Sequence, residues 1–103
     1  MHIIQNEQNI YKIEMYPKVR CFCPLGDGWY SGQITVQLYP EDIIPDYCEV
    51  EKWIKENIDG RSLIIEDVVS KIYDFLLNYK PGGLHVTADV KDAGHFPVEV
   101  YKK

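Results

Sequence analysis

The stretch Arg20-Cys21-Phe22-Cys23-Pro24 holds the residues of this chain best suited to chemistry. Cys21 and Cys23 lie two positions apart, so on a strand both thiols point to one side. Pro24-Leu25-Gly26-Asp27-Gly28 follows, and its composition is that of a turn, because glycine allows positive φ and aspartate tolerates it. A thiol at a strand end beside a loop is reachable by a substrate, and its thiolate is a nucleophile. Two other readings stand beside this one. Cysteine is often no more than a small apolar core residue. A Cys-x-Cys pair is also half of a metal site, with Cys48, His85 or His95 left to complete it, at no recognisable zinc spacing. Of the other candidates, Glu66 reads from its position alone as a solvated acid at a helix start. His85 falls on the polar face of a strand, solvated or at a subunit contact. His95 precedes Phe96-Pro97 in a turn, a better place for a proton-transfer group.

The elements that must position these residues follow from hydrophobic period. From Tyr11 to Cys23, Tyr11, Ile13, Met15, Val19, Cys21 and Cys23 share one face, while Lys12, Glu14, Tyr16, Lys18 and Arg20 take the other. Period two means a half-buried strand, and Pro17 within it implies a sheet edge or a bulge. Tyr30 to Tyr39 alternates again, with Ile34, Val36 and Leu38 inward, so the two segments form an antiparallel hairpin. After the break at Pro40 to Pro45, Asp46 and Glu49 have capping-box spacing, and Val50, Trp53, Ile54 and Ile58 follow at helical spacing. Asp59-Gly60 ends that helix. A second helix is predicted from Leu63 to Asn78, burying Ile65, Val68, Val69, Ile72, Phe75, Leu76 and Tyr79, with Pro81-Gly82-Gly83 closing it. Leu84, Val86, Ala88 and Val90 alternate as a third strand. Beyond Asp92-Ala93-Gly94, Phe96, Val98 and Val100 make a fourth. The order is ββααββ, an α+β domain whose helices cover one face of an antiparallel sheet.

Length and composition set the frame. The chain has 103 residues, 46% hydrophobic and 26% charged, with a formal net charge of −5. One domain spanning 1–103 is expected, stable alone but with small margin, since a chain of this size buries only roughly 60–65% of its unfolded surface. Apolar and aromatic content exclude a largely disordered chain. No apolar run approaches the ~20 residues of a membrane span. The start, MHIIQNEQNIYK, lacks the pattern of an export signal, and three cysteines make no disulfide framework, so a reducing cytoplasm is the expected location. The acidic balance argues against a simple electrostatic nucleic-acid binder.

Cys23-Pro24, a short polar loop, and the strand Ile34 to Tyr39 ending in Pro40 resemble the start of the 7-cyano-7-deazaguanine (nitrile) reductase family. The nucleophilic cysteine of that family lies in a Cys-Pro pair, followed by a strand ending in a Tyr-Ile-Pro-like sequence. Helix order, turn placement and length continue the resemblance from Val50 to Tyr101, most nearly to the short QueF-like branch, the archaeosine synthases. The resemblance implies the tunnel fold, a ββααββ unit that assembles into an oligomeric β-barrel, pentamer or decamer, with substrate sites between subunits. It implies that Cys23 attacks the nitrile carbon of 7-cyano-7-deazaguanine to give a thioimide. Glu66 would anchor the purine-like ring, accepting paired hydrogen bonds from its amide N–H and exocyclic amine. Trp29, Tyr30 and Tyr39 are expected around the site, where an aromatic face can stack on the ring.

The sequence also departs from the family pattern. The proton-donating aspartate falls at Tyr30, so Asp27, Tyr30 or His95 must serve as general acid, and Ile65 replaces the histidine before the anchoring glutamate. The places where reductases hold NADPH phosphates read Cys48-Glu49-Val50-Glu51-Lys52 and Asp92-Ala93-Gly94. An acid facing phosphate is unfavourable, and no GxGxxG or P-loop replaces the lost contacts. The resemblance therefore implies ammonia addition to the thioimide, giving an amidine on a tRNA-borne base, with no cofactor and no metal. NADPH-dependent reduction to the aminomethyl product, as in queuosine biosynthesis, is the alternative, and a non-catalytic deazapurine-binding module is a second one. A tRNA substrate is in tension with the charge of −5. It requires Lys12, Lys18, Arg20, Lys91, Lys102 and Lys103 to gather locally, or else the substrate is the free base.

Overall fold

Alternating side chains in four segments bury one face each, and the structure, a computed structural model describing residues 1–26 and 28–103, joins them into one antiparallel sheet. The first segment is read as β2 (Ile13–Met15) and β3 (Lys18–Cys23), both paired with the long β4 (Gly28–Tyr39). β4 pairs in turn with β6 (Gly83–Val90), and β6 with β7 (Val98–Lys102). Helices α1 (Tyr47–Asn57) and α2 (Ile65–Leu76) cover the face that carries Val19, Cys21, Ile34, Val36, Leu38, Val86 and Ala88. The expected ββααββ order is present. An addition that period two could not reveal is a short clip, β1 (Ile4–Gln5) against β5 (Ile43–Ile44), because two-residue strands have no period.

Pro17 interrupts the first strand without shifting it. Met15 faces Val36 and Lys18 faces Gln33, so the register is continuous and no bulge forms. The strand lies at the sheet edge, yet the proline nitrogen faces the neighbouring β4 and not solvent. The Pro17 carbonyl accepts from Ile34 N at 2.8 Å, so the pair faces inward, and the ladder lacks the N–H that proline cannot supply. Gln33 makes good the loss. Its side-chain amide donates to the Ile34 carbonyl at 3.1 Å and to the Pro17 carbonyl at 3.2 Å.

The helices start as their ends dictate. The Asp46 carboxylate caps α1, accepting from Cys48 N at 3.0 Å and Glu49 N at 3.3 Å. Glu49 does not return the bond as a capping box would. Its carboxylate accepts from His2 N at 2.9 Å, tying the N-terminal segment across the helix start. Gly60 takes φ +75°, the left-handed turn expected of Asp59-Gly60. α2 begins two residues later than predicted, at Ile65, because Asp59 to Leu63 is held elsewhere, and Leu77–Tyr79 form a separate 3-10 turn. Phe96 lies outside the last strand and is exposed, so β7 begins at Val98. Trp53 of α1 stacks on Phe75 of α2 with ring centroids 4.3 Å apart, joining the helices over the core.

Candidate active site

The segment between the helices decides where the site forms. It runs alongside β3, bonded at Gly60 N to Arg20 O (2.8 Å), Phe22 N to Arg61 O (2.9 Å) and Leu63 N to Phe22 O (3.0 Å). The carboxylate of Asp59 accepts from Arg20 N at 3.0 Å, and Cys21 Sγ donates to the Ile58 carbonyl at 3.3 Å. This added rung covers the edge of β3 and delivers the first turn of α2 beside the end of the strand, next to Cys23. The Tyr30 hydroxyl fixes the same junction from the sheet, donating to the Leu63 carbonyl at 2.5 Å.

A cavity of about 380 Å³ opens where these parts meet. Cys23, Leu25 and Gly26 of the hairpin turn form one wall, and Ile64, Ile65 and Glu66 at the start of α2 form the second. Val90, Ala93, His95 and Val98, around the connection from β6 to β7, form the third, with Tyr30 also in the lining. The walls are mostly apolar, with a thiol, a carboxylate and an imidazole among them, the make-up of a small-molecule pocket. Cys23 is partly buried, and its Sγ accepts a hydrogen bond from Gly26 N at 3.4 Å. Glu66 is exposed in the first turn of α2, where the free backbone N–H groups favour a negative charge. His95 Nδ1 lies 2.6 Å from the Phe96 carbonyl.

The other expected residues fare differently. Asp27 lies outside the described residues. Tyr30 is 2% exposed, its hydroxyl is spent on Leu63, and burial pushes its phenol well above the usual tyrosine range. It supports the α2 junction rather than offering a proton to the cavity. The expected cluster of Trp29, Tyr30 and Tyr39 does not form. Tyr39 pairs with Gly83 at the far end of β4, roughly 30 Å of extended chain from Tyr30 at ~3.3 Å per residue. It lines a different hollow with Asn6, Asn9 and Tyr11. Trp29 faces the opposite side of the sheet, edge-on to Phe22 (5.7 Å) and under the Arg20 guanidinium (5.9 Å). Trp29 and Tyr30 are consecutive residues of one strand, so their side chains must face opposite sides of the sheet.

Cys21 is fully buried, and burial raises its thiol, in keeping with a core role. Among the described residues no three His, Cys, Asp or Glu side chains stand together as a metal site, so the Cys-x-Cys pair finds no further ligands. Sequence reasoning missed the apolar wall of Ile64, Val90, Ala93 and Val98, and the Gly26 N–H on the sulfur. A glycine three residues beyond a cysteine, the span of a tight turn, was the available signal. The basic residues do not form one patch. Lys12 pairs with Glu14 at 2.9 Å, Lys102 reaches Ser70 at 3.3 Å, and Lys18, Arg20 and Lys91 share a hollow with Asp59, Asp89 and Asp92.

No protein-family model matches the sequence, and a search of curated proteins finds no match either. Among solved structures, the crystal structure of the archaeosine synthase QueF-Like in the apo form superposes with a TM-score of 0.80 at 18% sequence identity. The match covers 90% of this chain and 92% of that one, so the two share a fold over nearly their whole lengths. Among the described residues no helix is long and apolar enough to cross a membrane.

Proposed function

We propose that this chain is a nitrile-acting enzyme of 7-deazaguanine metabolism, of the archaeosine synthase kind. The observation that carries the reading is that a single cavity is lined by both Cys23 and Glu66, on the fold of a QueF-like synthase. The Cys23 sulfur adds to the nitrile carbon of 7-cyano-7-deazaguanine, the nitrile nitrogen gains the thiol proton, and a covalent thioimide results. Glu66 accepts from the ring amide N–H and exocyclic amine, fixing the nitrile over the thiol. Ammonia then adds to the thioimide carbon and the thiol leaves, giving the amidine and returning Cys23.

The substrate is 7-cyano-7-deazaguanine, free or borne on tRNA. The divided basic residues favour the free base. Asp92, where reductases present an arginine, accepts from Ser31 N at 2.8 Å, and that bond holds its carboxyl below the usual range. A carboxylate fixed there opposes a nicotinamide phosphate, which supports ammonia over NADPH. The unit covers only one face of its sheet, and assembly of several copies into a barrel would enclose the other.

Thiol addition across the triple bond expels nothing. Intact-protein mass spectrometry with 7-cyano-7-deazaguanine should therefore show a gain equal to the whole substrate mass. Cys23→Ala should abolish that gain, and an adduct persisting in Cys23→Ala would refute the assignment. Binding without any mass gain would instead identify a non-catalytic deazapurine module. Treating the adduct with ammonia or with NADPH separates amidine formation from reduction by the product released.

A further inference from the structure

We infer that His95 is the proton carrier of this site, taking the Cys23 thiol proton on Nε2 and giving it to the nitrile nitrogen. The inference rests on the nitrile reading for the second half of that transfer, and on geometry for the first. Thioimide formation moves one proton from sulfur to nitrogen and needs no outside acid: the S–H bond breaks, an N–H bond forms, and the carrier ends as it began. The carrier must line the cavity, exchange protons near neutral pH and have a free proton-accepting atom. Among the described residues, which leave out Asp27, the titratable groups lining the cavity from the elements around it are Cys23 on β3, Tyr30 on β4, Glu66 on α2 and His95 itself. Cys23 is the nucleophile, the Tyr30 hydroxyl is bound to Leu63, and Glu66 is the ring anchor. The position before Glu66, where the family pattern has an imidazole, is Ile65. Its side chain is packed near the backbone of Gly32, where an added Cβ would meet Ile65 Cδ1 at 3.3 Å.

The hydrogen bond of His95 fixes its tautomer. A carbonyl oxygen only accepts, so Nδ1, 2.6 Å from the Phe96 oxygen, must be the protonated nitrogen. That leaves the lone pair on Nε2, with no partner for it among the described residues. An imidazole held in one tautomer by a backbone carbonyl is thereby oriented for proton transfer.

The variant that isolates this role is His95→Asn, whose side-chain amide keeps an N–H for the Phe96 carbonyl but has no basic nitrogen. His95 is exposed, so folding should survive the change. Two rates are read from pH 5 to 9: alkylation of Cys23 by iodoacetamide, and adduct formation with 7-cyano-7-deazaguanine. The expected result is that His95→Asn slows both near pH 7, adduct formation on the order of 10²-fold, and changes the shape of the pH profile. Equal rates and an equal pH profile in both proteins overturn the inference while leaving the nitrile reading intact. Slower alkylation in the variant, with no adduct in either protein, supports proton transfer from Cys23 to His95 and refutes the nitrile reading.

Discussion

Glu66 carries a testable share of recognition at the scale of single residues. Two charge-assisted hydrogen bonds from a guanine-like edge are worth about 1.5–3 kcal/mol each when made to a charged group. Glu66→Gln keeps the shape but replaces one acceptor oxygen with a donor, so affinity for 7-cyano-7-deazaguanine should fall on the order of 10²-fold, read by calorimetric titration of the Cys23→Ala protein. An unchanged affinity would return Glu66 to the role its position first implied, a solvated acid at a helix start. The candidate residues were unevenly legible. Cys23 was marked by its strand end and the turn after it, and Cys21 by sharing its face. Tyr30 misled because a tyrosine hydroxyl looks free in a sequence, and only the fold reveals the Leu63 carbonyl opposite it.

The elements were legible where hydrophobic period is strong and obscure where pairing is local. Both helices and all four main strands follow from alternation or helical spacing, whereas the clip of β1 on β5 and the rung of Asp59 to Leu63 on β3 rest on backbone hydrogen bonds. That rung is what brings Glu66 to Cys23, so the site's assembly was the least visible part of the fold. Pro17 and Gln33 give a prediction at this scale. Gln33→Ala leaves the Ile34 carbonyl without its donor, at a cost of about 1–3 kcal/mol in urea unfolding. Pro17→Ala restores the ladder N–H, so adding it to Gln33→Ala should recover most of that loss. A double variant no more stable than Gln33→Ala alone would mean that the amide does not substitute for the ladder bond.

Taken whole, the molecule is a slab of 46 × 23 × 16 Å with its helices on one side, and its stability should decline in alkali. Tyr79 is 1% exposed, and its hydroxyl is buried with no hydrogen-bond partner among the described residues. Burial first, then the nearby charges of Glu49 and Asp46, push it up to about 12, and burial likewise raises Tyr30. Both shifts have one sign. The unfolded chain ionises its tyrosines from the ordinary value of 10.0, whereas the folded chain retains those protons. The stabilisation is thus complete below pH 10 and lost as pH rises through 10 towards 12. Tyr79→Phe removes both the orphan hydroxyl and one titrating group. It should leave stability at pH 8 unchanged or raised by about 1 kcal/mol, with a shallower alkaline decline, in urea melts at pH 8 and pH 11. A steeper decline in the variant would refute this account of Tyr79.

The inward-facing proline has a consequence for how such chains can diverge. With any other residue at position 17 the strand supplies its own ladder donor, and position 33 is released from needing an amide. Proline at 17 without a donor at 33 leaves the Ile34 carbonyl bare. Descendants of this sequence are therefore expected to change the two positions in a fixed order, losing Pro17 first and Gln33 only afterwards. The trace of that order would be a set of relatives in which three of the four combinations occur and the fourth is missing.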